Sequence, residues 1–170
     1  MVNKQSPAYQ MALGGVLAAL AVVVMALGGI IPVATYVCPV VDMLLLHAVL
    51  KICGERIAWT WYAAVSILVL LLSPDKEAAA VFLFLGYYPI LKPKLDRTRG
   101  KWLWKILVFN VPMVILYSIL IRLMGIREIT GESEELGRVM LAVLLILGNV
   151  TFLVLDKLLS ILDLRLGRKG

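Results

Sequence analysis

One histidine, two cysteines and a charged fraction of only 16% leave this 170-residue chain few of the groups that catalysis, metal binding or a water-facing surface require. A single imidazole, His47, cannot assemble a metal cluster or a catalytic triad without partners, and the spacing of the acids and cysteines supplies none. It is expected to serve in the core or in bonding between helices. No GxxxxGK[ST] run occurs, so ATP hydrolysis would have to come from another protein. No nucleophile–base pair or metal-binding carboxylate motif has a convincing spacing, and the chain is expected not to be an enzyme and to use no cofactor or metal. Glu132, Glu134 and Glu135 read as a solvated loop. A soluble domain of this length carries roughly a quarter charged residues; this chain has too few.

What is present is apolar. Hydrophobic residues make up 62% of the sequence and mean hydropathy is +0.96, the profile of an integral membrane protein. A helix needs about 20 mostly apolar residues to cross roughly 30 Å of hydrocarbon. Six stretches are candidates: Ala8–Ile31, Val40–Cys53, Ile57–Ser73, Glu77–Leu91, Trp102–Gly125 and Leu136–Leu159. The second and fourth are short, which implies a tilted helix, a thinner bilayer or partial re-entry. The expected fold is all-α: one transmembrane domain over residues 1–170, a six-helix bundle with both termini cytoplasmic.

The basic residues set that orientation, because cytoplasmic loops are enriched in Lys and Arg. Residues 91–105, LKPKLDRTRGKWLWK, hold Lys92, Lys94, Arg97, Arg99, Lys101 and Lys105. With the N-terminus inside, six crossings put these six, Lys4, Lys51, Arg56, Arg165, Arg168 and Lys169 in the cytoplasm. Lys76, Arg122, Arg127 and Arg138 fall outside, together with Asp75, Glu77, Glu128 and the glutamates of ITGESEELGR. The cluster is therefore a cytoplasmic loop and not a nucleic-acid patch, for which no groove-reading motif is present. Trp102 and Trp104 suit interfacial anchors, as do Trp59, Trp61 and Tyr62 at the start of the third segment and Tyr87 and Tyr88 at the end of the fourth. Lys4 followed by a long apolar run has the look of a signal peptide, but the run exceeds a usual signal core and is read as a retained helix. Cys38 and Cys53 fall near opposite faces, which excludes a disulfide between them.

Helix breakers divide the map further. GGIIPVATYVCPVVD, residues 28–42, is apolar yet bracketed by Gly28, Gly29 and prolines, so an irregular lid with Tyr36 and Cys38 packed inward is expected. Ser73 and Pro74 suit a helix start, and Pro112 predicts a kink near Asn110. Asp156, on the face of Asn149, is expected to pair with Lys157 or a loop base.

The first helix carries ALGGVLAALA, residues 12–21, in which Gly14 and Ala18, and Gly15 and Ala19, stand four apart. Small residues at that spacing make a flat face for close helix packing, either within the chain or against a partner. In this pattern, in length and in helix layout, the chain resembles the substrate-binding S component of an energy-coupling factor (ECF) transporter. That family carries Ala-x-x-x-Ala in its first helix, and Gly15-Val16-Leu17-Ala18-Ala19 is the nearest match here, with glycine in the first small position. Gly14 and Ala18 give a second register.

The resemblance implies a subunit of a bacterial plasma membrane that binds a micronutrient near the outer face. Through helix one it would dock on a transmembrane coupling subunit, driven by two ATPase subunits. The side chains that could line such a pocket are Tyr36, Asp42, Asn110, Tyr117, Arg122 and Asn149. Asn110 and Asn149 could equally hold helices together, and Arg122 could instead snorkel to the surface. A membrane scaffold of the rod-shape, cell-wall type is the alternative function.

Overall fold

The computed structural model describes residues 6–28, 34–124 and 134–167; within them the side chains at 34–36, 120–124, 134–142, 144 and 165–167 lie outside the description. Among the described residues seven helices follow in order: α1 (Pro7–Gly28), α2 (Ala34–Cys53), α3 (Glu55–Leu72), α4 (Lys76–Leu85), α5 (Tyr88–Leu95), α6 (Lys101–Met124) and α7 (Glu134–Gly167). No strand occurs among the described residues. Four stretches of the described residues, Pro7–Gly28, Glu55–Leu72, Lys101–Ile119 and Leu145–Leu164, are long and apolar enough to cross a membrane.

Two expectations are corrected. The lid does not extend past residue 33: α2 begins at Ala34 and runs 20 residues with Pro39 inside it. Residues 29–33, the remainder of that expectation, lie outside the described residues. Proline removes one backbone hydrogen bond and crowds the carbonyl four residues back, a local cost that the packing of α2 against its neighbours offsets. The fourth segment is not one helix either. It divides at Gly86 and Tyr87 into α4 and α5, and the Gly86 N–H still bonds to Phe82 O at 2.7 Å.

Contacts between helices fix their directions. Cys53 Sγ at the end of α2 meets Gln10 O near the start of α1 at 3.6 Å, so these two helices are antiparallel. Trp61 Nε1 donates to Gly14 O at 3.0 Å and Ser73 Oγ donates to Met25 O at 3.2 Å, so α1 and α3 run the same way. Between α2 and α3 the chain turns on Gly54 alone, at φ 90°, a backbone that only glycine adopts without strain. α2 is the hub: it packs against α1, α3, α4, α5 and α7, and buries Cys38, Pro39, Asp42, Met43, Leu46, His47, Val49 and Cys53. α6 and α7 pair through the stacked rings of Phe109 and Phe152, with centroids 4.4 Å apart. Where Gly148 of α7 faces Met113 of α6, an added Cβ would lie 2.7 Å from the Met113 methyl, so the absence of a side chain permits the close approach.

Side chains replace the backbone bonds that breakers remove. Pro112 cannot donate to the carbonyl of Val108, and Tyr87 Oη donates to that oxygen instead, at 3.3 Å. Leu83 O, stranded where α4 ends, accepts from Tyr62 Oη. Ser73, expected to start a helix, instead ends α3 and ties it to α1; Asp75 caps α4 by accepting from Ala78 N at 3.0 Å. Trp61 and Tyr88 are also corrected: both are buried core residues and not interfacial anchors, because each has a polar partner inside, Gly14 O for Trp61 and Asp156 for Tyr88. Trp59, Trp102 and Trp104 are exposed.

Tyr87→Phe is expected to lower stability by about 1 kcal/mol, since it strands the Val108 carbonyl without altering the ring. Thermal unfolding in detergent reads this out, and a shift no larger than that of an exposed control such as Trp104→Phe would contradict the assignment.

Candidate functional site

The described part of the predicted site divides into two regions. Asp42, two turns into α2, is fully buried, and neither of its carboxylate oxygens has a hydrogen-bond partner. Asn110 and Asn149 face each other between α6 and α7. Asn110 Nδ2 donates to Asn149 Oδ1 at 3.1 Å and Asn149 Nδ2 donates to Asn110 Oδ1 at 3.0 Å. Each also donates to the carbonyl one turn back, Ile106 O and Leu145 O. Both amide protons and one acceptor site of each side chain are thus used between and within the helices. Tyr117 is buried on α6, on the same face as Asn110. The side chains of Tyr36 and Arg122 lie outside the described residues.

Beside the asparagine pair lies a cavity of about 40 Å³, walled by Pro39 and Met43 of α2, Val81 and Leu85 of α4, Phe109 and Met113 of α6, and Gly148 and Phe152 of α7. Its walls are almost wholly apolar. The space fits two or three water-sized probes and no vitamin-sized solute, so a bound solute would require the helices to part.

The two small-residue registers of α1 separate. Gly14 is buried and its carbonyl accepts from Trp61, and Ala18 packs against the core. Gly15 and Ala19, about 100° further round the helix, are exposed together with Val16, Leu20 and Val23. The first register is consumed within the chain. The second leaves a flat apolar stripe facing outward.

A third feature, only partly anticipated through Asp156, is an ionic cluster at the end of the bundle where the basic loop lies. Lys105 Nζ sits 2.9 and 3.0 Å from the two oxygens of Asp156 and 2.6 Å from Asp96 Oδ1; Lys92 Nζ is 2.6 Å from Asp96 Oδ2 and 3.5 Å from Asp156 Oδ1. Tyr88 Oη donates to Asp156 Oδ1 at 2.6 Å. Lys92, Lys105 and Asp156 are buried, and two lysines balance two aspartates. Of the two partners expected for Asp156, the structure selects the loop bases; Lys157 is exposed. The cluster joins α5, α6 and α7. Burial raises the Asp96 carboxyl's affinity for a proton, but hydrogen bonds from Lys105 and Lys92 outweigh this and hold it below its ordinary value. Nearby, Asp163 of α7 bridges Lys51 Nζ at 2.6 Å and His47 Nε2 at 3.2 Å, tying α7 to the hub. His47 thus lies in the core within ion-pair distance of α7, with neither ring nitrogen hydrogen-bonded. Among the described residues no three His, Cys, Asp or Glu side chains come together to hold a metal ion, and Cys38 and Cys53 are free thiols.

Lys105→Met leaves the buried Asp156 and the more exposed Asp96 to share one cation, Lys92, and is expected to cost about 3 kcal/mol. Lys105→Met combined with Asp156→Leu should recover part of that loss in a double-mutant cycle. The pH dependence has a definite sign. Because the folded Asp96 carboxyl titrates below its unfolded value of about 3.9, its stabilisation is complete at neutral pH and is lost as pH falls through that value and below. Unfolding midpoints measured from pH 6 to pH 3 should fall, and fall less in Asp96→Asn.

Set beside protein-family models, curated proteins and solved structures, the chain matches none of them.

Proposed function

We propose that this chain is the membrane-embedded substrate-binding subunit of an ATP-driven bacterial importer for a small micronutrient. It lies in the membrane with its basic end and both termini toward the cytoplasm, takes solute from the opposite side, and docks on a transmembrane coupling subunit that carries two ATPases. One observation supports this most: the exposed Gly15–Ala19 stripe of α1. Inward packing uses Gly14 and Ala18, so the spacing of the second register has no role inside the chain, and a small-residue face in lipid favours close approach of another helix. The orientation rests on the charge distribution. Lys51, Lys92, Lys94 and Lys105 make ion pairs at one end of the bundle, and the basic end of a membrane protein faces the cytoplasm.

The scaffold reading has its own support. The cavity is small and the asparagines are satisfied by each other, as in a protein that organises partners and binds no solute.

The two readings part in one experiment. Protein purified from its native membrane should carry a coupling subunit with it, and either Gly15→Leu or Ala19→Leu should abolish that recovery while leaving the unfolding midpoint unchanged. A micronutrient should raise the midpoint of the wild type, because a ligand that binds only the folded state stabilises it. Recovery unaffected by both substitutions, with no solute raising the midpoint, would leave the scaffold.

A further inference from the structure

Asp42 differs from the other aspartates of the bundle. Asp96 and Asp156 are matched by Lys92 and Lys105, Asp163 by Lys51 and His47, and Asp75 caps α4. Asp42 is fully buried, accepts no hydrogen bond through either oxygen and has no ion-pair partner among the described residues. Burying a carboxyl group without partners costs several kcal/mol. The fold has apolar alternatives of similar size at this position, yet it holds an acid there.

Its surroundings narrow the ligand. Asp42 lies eight residues after the start of α2, about 12 Å into the helix. Cys38, Asp42, Val49 and Cys53 follow one another at helical spacing along one face, and Cys53 meets Gln10 of α1, so that face looks toward α1. Ser66 on the neighbouring α3 is likewise buried, with an Oγ that has no hydrogen-bond partner. Pro39, Val40 and Met43, all within one turn of Asp42, line the apolar cavity on the adjacent face of the same helix. Asp42 does not itself line that cavity; the acid and the apolar wall occupy neighbouring faces of α2.

Divalent inorganic cations fit this poorly. Calcium and magnesium take six or more oxygens, and no cluster of three ligating side chains occurs among the described residues. An anionic solute would be repelled by the ionised acid, whereas a cation supplies the counter-charge that a buried carboxylate requires. An organic cation needs one carboxylate for its charge and apolar surface for its body.

We propose that Asp42 is the subsite for the positive charge of the imported solute, which is therefore an organic monocation such as an amine, a quaternary ammonium or a charged heteroaromatic ring. This rests on the importer reading and supplies its substrate class.

The test uses the full-length protein in detergent, with unfolding midpoints and direct binding isotherms measured for wild type and Asp42→Asn. The probes are choline and thiamine as cations, riboflavin as a neutral solute and biotin as an anion. A cation should bind the wild type while riboflavin and biotin do not, and Asp42→Asn should weaken that binding at least about 30-fold, the low end for breaking a buried charge pair. The ligand-free midpoint of Asp42→Asn should match or exceed that of the wild type, which a structural role would not allow. Binding of riboflavin or biotin to both proteins alike overturns the Asp42 assignment and leaves the importer reading standing, as does cation binding that survives Asp42→Asn. Absence of binding by all four overturns both.

Discussion

Hydrocarbon offers no hydrogen bonds, so a polar group inside a membrane bundle must find its partner within the protein. Four of the described helices are long and apolar enough to cross a membrane, and side chains of other helices close several of the breaks in their backbone bonding. Pro112 and the break at Gly86 strand carbonyls that water would satisfy in a soluble protein; here Tyr87 and Tyr62 reach across from other helices to do so. Trp61 and Ser73 bond to carbonyls of α1. Lys76 closes the end of α3 by donating to Leu70 O at 2.9 Å. Each irregularity in one helix thus becomes a tie to another, and the bundle gains specificity from what would otherwise be defects.

Charge follows the same rule with higher stakes. Four charged side chains meet at the basic end in a ring that is neutral as a whole, and a phenol completes the acceptor set of Asp156. Burying such a group is tolerable only when every member is paired. The cluster also places the short α5 against α6 and α7, so the same lysines that give the loop its positive character anchor it. Asp42 stands apart from this pairing, buried with neither oxygen hydrogen-bonded.

The division of labour on α1 has a similar physical root. Two pairs of small residues one position apart lie about 100° apart around the helix. They cannot both face the core. The Gly14 register takes the close approach to α3, and the Gly15 register is left for whatever lies outside.

The amino-acid sequence by itself determined that the chain is helical and apolar enough for membrane spans, because burial in lipid demands long runs of the kind that composition and hydropathy reveal. It also determined where basic residues collect and which small residues can form flat faces, since both follow from spacing along one helix. Only the tertiary structure decided the rest. It carried α2 back to Ala34 through Pro39 and broke the fourth segment in two, because neighbouring helices supply the contacts that override a local breaker. It paired Asn110 with Asn149 and Lys105 with Asp156, residues 39 and 51 positions apart, and it isolated Asp42. Whether a buried acid has a partner depends on which side chains other helices bring near it, and spacing along a single helix carries no record of that.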